Sequence, residues 1–281
     1  MPQKREPFRW ARPMLQARPM NIPVLHGTID RRILINYRID PDVAARLLPA
    51  PFRPQIVGGA ALGGVCLVRL KGIRPRAVPA IVGVSSESAA HRFAVEWDDT
   101  SGPRRGVYIP RRDTSSWINR AVGGRLFPGV QHQARFAVDE RDGQYRIEMN
   151  SGDGKVHVKI AARDAIAAAD GSVFRTLDEA RRFFEEGRVG CSDTGQHGEF
   201  DVIELRCLAF RLTPLEVEQV GSSFFDDRRL FPEGSVAFDS AFLMRGIDHT
   251  WHDGGRVRAH LPVNTGSIAR SIGQDRAHQG A

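Results

Sequence analysis

The stretch that decides the fold is DRRILINYRIDPDVAARLLPAPFRP, residues 30–54. It overlaps HGTIDRRILINYRI (26–39), which is rich in isoleucine and leucine and predicts a β-strand. Asp40 is a suitable N-cap residue and Pro41 suits the first position of a helix, so we expect a short helix that ends at Pro49. The ordered part of the chain therefore begins with a strand that leads directly into a short helix.

The rest of the chain predicts mostly strands. Residues 61–73 form an apolar run, and HRFAVEWDD (91–99) alternates between apolar and mixed positions. In the second run one face carries Phe93, Val95 and Trp97, and the other carries Arg92, Ala94 and Glu96.

Two dipeptides in the middle of the chain signal tight turns. Asp142-Gly143 and Asp153-Gly154 separate alternating segments, so residues 130–162 predict an antiparallel meander. A helix should follow over residues 176–187, because Thr176 and Glu179 form a capping box and Gly187 suits its end. Many strands and few helices predict a β-rich α+β fold.

The domain organisation follows from the same patterns. Residues 1–22 carry charges and prolines and predict a flexible arm. Residues 23–253 predict a single domain, and residues 254–281 resemble a disordered tail.

Composition limits the partners of the protein. The 281 residues are 41% hydrophobic and 26% charged, as in soluble globular proteins. No apolar run approaches the roughly 18–20 residues that span a bilayer, and the N-terminus has no apolar signal region, so we expect no membrane partner. The net charge is +7, but no run of five basic residues and no helix-turn-helix or RNP-like motif occurs. We therefore expect no nucleic-acid partner.

The cysteines indicate the compartment. Cys66, Cys191 and Cys207 are odd in number and form no CxxC pair. This spacing predicts reduced thiols and a cytoplasmic location.

Three segments, in this order, resemble the acetoacetate decarboxylase family. The first is residues 30–54, with Tyr-Arg-x-Asp, a helix and Leu-x-Pro-x-Pro; the second is SSESA (85–89), similar to the family's Thr-Glu-Ser-Gly. The third is RRDTSSWINRAVGG (111–124), similar to Gly-Arg-Glu-x-x-x-x-Pro-Lys-Lys-x-Gly. SSFFDD (222–227) and FPEGS (231–235) resemble the uncharacterised, YqjF-like bacterial branch of this superfamily.

The resemblance implies a cone-like antiparallel β-barrel with a few peripheral helices and a central cavity. In the family's decarboxylases a cavity lysine forms a Schiff base with a β-keto acid, and acetoacetate decarboxylase is the usual example of a lysine activated by desolvation and a neighbouring cation. Aligned through Arg112 and Asp113, the lysine pair falls here on Asn119 and Arg120, which do not form imines. Classical imine decarboxylation is therefore not expected unless another lysine supplies the amine.

The chain has few other lysines. Lys4 lies on the arm, and Lys71 follows a strand. Lys155 and Lys159 share a strand face opposite Val156, Val158 and Ile160, and that lysine face should be exposed to solvent.

The resemblance also implies roles for the remaining polar residues. Glu87 aligns with a cavity glutamate and would be a general base or a hydrogen-bond anchor; the alternative is an exposed loop residue. Asn119 would bind a carbonyl oxygen without a covalent bond. Arg31 or Arg32 corresponds to a substrate-side arginine, and we assign the role to Arg31, although a shift of one residue reverses the face.

Arg112 would clamp a carboxylate or phosphate through two hydrogen bonds, and Asp113 would orient it or act as an acid or base. The alternative for this pair is an internal ion pair that closes the barrel. Arg111 should point to the other side, as a structural or solvated residue. Arg120 and Trp117 complete the expected substrate-binding set, Trp117 as a pocket wall.

Metal and cofactor sites are not expected. His249 and His252 in DHTWH lack a third ligand, and the glycines of GGAALGG lack the pattern of a phosphate-binding loop.

The sequence predicts a small-molecule enzyme of lyase, hydratase or isomerase type that acts without a cofactor on an anionic keto or carboxylate compound. The alternative is a non-catalytic protein that binds a small anion in the same cavity. Family members are often oligomeric, so the resemblance also implies a homo-oligomer.

Overall fold

The computed structural model describes residues 23–79, 81, 83–99, 102–118, 128–167, 169–207 and 209–259. The predicted arm at 1–22 lies outside the described residues, as do residues 260–281 of the predicted tail. The described chain contains two complete helices, α1 (Pro41–Leu47) and α2 (Leu177–Glu186). Its thirteen strands are β1 (Leu25–Ile39), β2 (Arg53–Pro54), β3 (Ile56–Val57), β4 (Ala60–Pro75), β5 (Val84–Asp99), β6 (Gly102–Thr114), β7 (Gln131–Arg141), β8 (Gln144–Ser151), β9 (His157–Asp164), β10 (Val189–Asp193), β11 (Glu199–Cys207), β12 (Thr213–Ser222) and β13 (Val236–Arg258).

The strands pair into two rings that share five strands. The nine-strand ring runs in the order β1, β4, β5, β6, β7, β8, β9, β12, β13 and back to β1. The seven-strand ring leaves the shared strands at β6, continues through β10 and β11, and returns to β13. Most pairings are antiparallel; β6 pairs in parallel with both β7 and β10. The predicted β-rich fold with a curved, closed sheet is confirmed.

The start of the domain forms as its sequence predicts. The Asp40 carboxylate accepts hydrogen bonds from the backbone amides of Asp42 and Val43, at 2.9 and 3.0 Å, and so caps α1. The helix ends after Leu47, two residues before Pro49. The strand, the cap and the helix are therefore set by local chemistry.

The meander and α2 also follow the prediction. Asp142 and Gly143 adopt positive φ angles of 50° and 74°, as the tight turn between β7 and β8 requires. The Thr176 hydroxyl accepts a hydrogen bond from the Glu179 amide at 3.1 Å, and this cap begins α2. The helix directs Ala180 and Phe184 onto the sheet.

The five shared strands separate two apolar clusters. Odd-numbered residues of β1 from Ile33 onward face the interior of the nine-strand ring, together with the aromatic residues Phe224 and Phe225. On the opposite face, Leu34, Cys66 and Phe242 pack with residues of β11 and α2. Because successive side chains of a strand alternate, neighbours in sequence along β1, β4, β5 and β6 enter different rings.

The predicted end of the domain needs a correction. Residues 254–258 continue β13, which pairs with β11 as far as the Arg258–Glu199 position. The boundary predicted at residue 253 is therefore five residues too early within the described chain. No helix in the described residues is long and apolar enough to cross a membrane.

Candidate functional site

The predicted site residues divide between the two faces of the shared sheet. Arg31 and Glu87 lie in the interior of the nine-strand ring, as does Asp113. Arg112 pairs through its backbone with Ala90, whose side chain lies on the face of the seven-strand ring. Glu87 and Arg112 therefore do not face one common ligand, and the single constellation predicted from the sequence does not form.

A charged network occupies one end of the nine-strand ring. We define it as the four cations and three carboxylates that interact there: Asp30, Arg31, Arg69, Lys71, Glu87, Glu140 and Arg245. Arg245, Arg31 and Arg69 are direct neighbours on β13, β1 and β4. Because they point to the same face, their guanidinium groups repel one another unless carboxylates lie between them.

Two glutamates supply those carboxylates. Glu87 accepts hydrogen bonds from Arg31 and Arg69, each at 2.5 Å. Glu140 of β7 accepts from Arg31 and contacts both Arg69 and Arg245 at 3.2 Å. Arg31 is 0% exposed. Each carboxylate is thus shared by at least two arginines.

The network neutralises most of its own charge. Burial alone would raise the pKa of Glu140, but the hydrogen bond from Arg31 and the surrounding cations lower it overall. Burial likewise opposes the effect of Lys71 and Arg69 on Asp30, whose pKa is also lowered. Both oxygens of Glu87 already accept hydrogen bonds, so in this arrangement Glu87 holds two arginines in place.

A second set of ion pairs lies in the same ring. Arg111 donates to Asp113 at 2.8 and 2.9 Å and to Asp153 at 2.9 and 3.1 Å. Burial raises the pKa of Asp113 despite Arg111, whereas hydrogen bonds lower the pKa of Asp153. Arg111 points to the opposite side of β6 from Arg112, as predicted, and of the two expected settings, structural or solvated, it has the structural one because it is buried. Asp113 orients Arg111 and not Arg112. The internal ion pair expected as the alternative for Arg112 and Asp113 forms instead between Arg111 and Asp113.

The other face of the shared strands carries a different group, which we name the arginine cluster: Arg32, Arg92 and Arg112 around Cys66. Arg32 Nε donates to Cys66 Sγ at 3.1 Å. Across the sheet, Cys66, Ala90 and Arg112 are successive partners on β4, β5 and β6. The small side chain of Ala90 leaves room between the thiol and the Arg112 guanidinium.

The arginine cluster has neutral partners only. Arg92 Nη2 donates to Asn36 Oδ1 at 2.6 Å, and its guanidinium lies 5.3 Å from the centre of the Phe184 ring. Arg112 Nε donates to Ser192 Oγ at 3.3 Å. Within the described residues none of the three arginines forms a salt bridge, and Arg92 Nε and Arg112 Nη2 have no hydrogen-bond partner. Arg92 is 3% exposed.

Burial has a clear electrostatic effect on these groups. It lowers the pKa of Arg92 and of Arg112 to about 10, and the charge of Cys66 opposes this effect. Both side chains remain cationic at neutral pH. Arg112 is nevertheless partly exposed, as are Ala90 and Arg32, although all three lie on an inner face. Each of these three residues therefore keeps some surface that is accessible to solvent.

Three predicted residues remain, namely Trp117, Asn119 and Arg120. Trp117 is 72% exposed, and Asn119 and Arg120 lie outside the described residues. Arg32, which the prediction passed over for Arg31, is the arginine of that pair that enters the seven-strand ring. Arg92 was missed because the Arg92–Ala94–Glu96 side of its strand resembles a solvent-facing surface. In the structure α2 covers part of that side.

The described lysines lie away from the arginine cluster, and the described residues form no metal site. Lys71 is bound to Asp30 at 2.7 Å, and Lys155 and Lys159 are exposed as predicted. No lysine of the described chain therefore faces the arginine cluster. The described residues contain no group of three potential metal ligands. His249 and His252 are three residues apart on β13, so their side chains point to opposite faces of that strand.

A family model of known sequences matches most of this chain. The family model DUF2071, described as an uncharacterized conserved protein, matches residues 27–223, which is more than half of the chain. No curated protein matches the sequence.

Several solved structures share the fold at low sequence identity. Acetoacetate decarboxylase from Legionella pneumophila is 12% identical, with a TM-score of 0.54 over 89% of this chain and 92% of that one. An acetoacetate decarboxylase-like enzyme from Sphingomonas wittichii RW1 is 13% identical, with a TM-score of 0.52 over 85% and 94%. The enduracididine biosynthesis enzyme MppR complexed with pyruvate is 13% identical, with a TM-score of 0.52 over 90% and 98%. The chain belongs to the DUF2071 family and has an acetoacetate decarboxylase-like fold.

Proposed function

We propose that the protein binds a small carboxylate-bearing molecule in the seven-strand ring, on the guanidinium groups of the arginine cluster. The observation that carries this proposal is the absence of any carboxylate partner for Arg32, Arg92 and Arg112 among the described residues. Buried cations without an anion are unfavourable, and a ligand carboxylate would supply the missing charge. The planar guanidinium fork suits a carboxylate through paired hydrogen bonds.

The neutral partners support a site that is organised before the ligand arrives. Asn36 and Ser192 each hold one arginine, which fixes the direction of its remaining N–H groups. The Phe184 ring beside Arg92 offers an apolar wall for the carbon part of the ligand. A short keto acid would fit these requirements, with its carboxylate on the arginines and its carbon chain against Phe184.

The proposed reaction type is a lyase, hydratase or isomerase reaction without a Schiff base. Guanidinium groups in a desolvated site stabilise the negative charge that develops on an enolate or carboxylate during such reactions. The neighbours of the same fold include enzymes, and MppR was solved with pyruvate. The missing lysine leaves electrostatic stabilisation as the main contribution of the site.

A non-catalytic binding protein is the second candidate. It is favoured by the surroundings of the arginine cluster, in which the described residues provide neither a carboxylate nor a lysine. Incubation with a bound keto acid followed by product analysis separates the two: turnover supports an enzyme, and unchanged ligand supports a binding protein.

Thermal unfolding with pyruvate, acetate or inorganic phosphate tests the proposed site. A ligand present at 100 times its dissociation constant should add about 2.7 kcal/mol of stability to the wild type. Arg112→Gln should remove this gain. Arg245→Gln is the matched control from the charged network and should keep it. The proposal is overturned if Arg112→Gln keeps the full gain, or if no anion stabilises the wild type.

A further inference from the structure

One histidine of the seven-strand ring has an unusual setting. His249 lies on β13 between its pairing partners Gly27 of β1 and Cys207 of β11. Its side chain is 3% exposed, and within the described residues neither ring nitrogen has a hydrogen-bond partner. The Trp251 ring stands edge-on, with its centroid 4.3 Å away. A buried imidazole normally pairs at least one nitrogen, so both positions are open to a ligand.

His249 faces the ring that holds the arginine cluster. Ile247 and Trp251, its neighbours on the same side of β13, belong to the apolar cluster that contains Cys66. Arg32 connects the two groups, since it donates to Cys66 and its charge also acts on His249. The described chain therefore directs an imidazole without a hydrogen-bond partner and three guanidinium groups without a carboxylate partner to the same face of the shared strands.

Burial determines the protonation state of His249. Burial lowers its pKa to about 4; the Ile247 carbonyl opposes this, and the charge of Arg32 adds to it. The Ile247 carbonyl makes no hydrogen bond of normal geometry to the ring. The imidazole is therefore neutral at neutral pH, with one nitrogen free to accept a proton.

We propose that His249 is the proton-transfer residue for a 2-keto acid held by the arginine cluster, an inference that rests on the proposed function. Its free nitrogen takes a proton from the carbon next to the ketone. The C–H electron pair forms the C=C bond, and the carbonyl π pair moves onto oxygen as an enolate beside the arginines. The same nitrogen returns a proton to that carbon, so the step needs no oxidant, reductant or further reactant.

Deuterium exchange tests this step with the full-length protein. Pyruvate in D2O is followed by proton NMR, and loss of the methyl signal above the buffer rate reports proton removal. We expect the wild type to exchange the methyl protons and His249→Gln to be at least about 100-fold slower, the usual contribution of a general acid–base residue. His252→Gln is the control in the same strand, because His252 is bound to Thr250 Oγ1 at 2.9 Å, and should exchange at the wild-type rate.

Thermal unfolding of the same samples separates the two proposals. Stabilisation by pyruvate without methyl exchange overturns the role of His249 and leaves the anion site standing. Wild-type exchange in His249→Gln also overturns it. If pyruvate stabilises no variant, the anion site itself fails. Should His249→Gln not fold, imidazole 15N spectra of the wild type decide, since added pyruvate must shift one buried histidine and an unchanged spectrum contradicts the proposal.

Discussion

Arg111 and Arg112 are adjacent in the chain and lie in opposite electrostatic environments. Arg111 enters the nine-strand ring and is paired with Asp113 and Asp153. Arg112 enters the seven-strand ring and has only the Ser192 hydroxyl as a partner within the described residues. A paired buried charge contributes to the folded structure, whereas an unpaired one lowers its stability until an anion binds. The comparison separates the arginines that hold the fold from those available to a ligand.

Arg111→Met should have the largest effect on stability. It leaves the Asp113 carboxylate buried without its cation, and the expected loss is about 3–5 kcal/mol in the free energy of unfolding. Urea denaturation at pH 7 measures it. The double variant Arg111→Met/Asp113→Asn should recover part of the loss. A loss below about 1 kcal/mol would mean that this ion pair does not hold the ring together.

Glu140→Gln should have an intermediate effect that depends on pH. Glu140 accepts from Arg31 and Arg245, and loss of charge-assisted hydrogen bonds costs about 1.5–3 kcal/mol at pH 7. Because the folded-state pKa of Glu140 lies below its ordinary value of 4.5, the stabilisation is complete above pH 4.5 and disappears as the pH falls through the folded-state pKa.

Unfolding curves measured between pH 7 and pH 3 check this dependence. The wild type and Glu140→Gln should differ most at neutral pH and converge in acid. Glu96→Gln, at the exposed Arg53 ion pair, is the control and should change stability by less than about 0.5 kcal/mol. A difference that grows toward acid would contradict the assignment.

Arg112→Met should have the smallest effect on the free protein and gives the sharpest comparison with Arg111→Met. Removing a buried charge that lacks an anion is expected to change the free energy of unfolding by less than about 1 kcal/mol, or to raise it. Denaturation without added anions measures this. A loss as large as that of Arg111→Met would show that Arg112 has a structural partner, and the anion site would lose its support.

Local chemistry accounts for the parts of the fold that the sequence predicts well. Asp40 caps α1, Thr176 caps α2, and Asp142-Gly143 forms a tight turn because each signal acts over a few residues. The site was predicted less well, because the roles of Arg31, Glu87 and Arg112 depend on strand register. Glu140 and Arg245 had no sequence signal, since β7 and β13 are distant from Arg31 in the chain: Arg245 reaches it by strand pairing and Glu140 by a contact across the ring.

The sequence by itself determined the order of strands and helices, the turns, the loss of the family's lysine pair and the resemblance to the acetoacetate decarboxylase family. Only the tertiary structure decided which face of β6 carries the paired arginine and which carries the unpaired one. The alternation of side chains along a strand predicts that Arg111 and Arg112 point to opposite faces. It does not predict which ring each side chain enters or where the carboxylates lie. That choice depends on ring closure through β10 and β11, and such long-range pairing leaves no local pattern in the sequence.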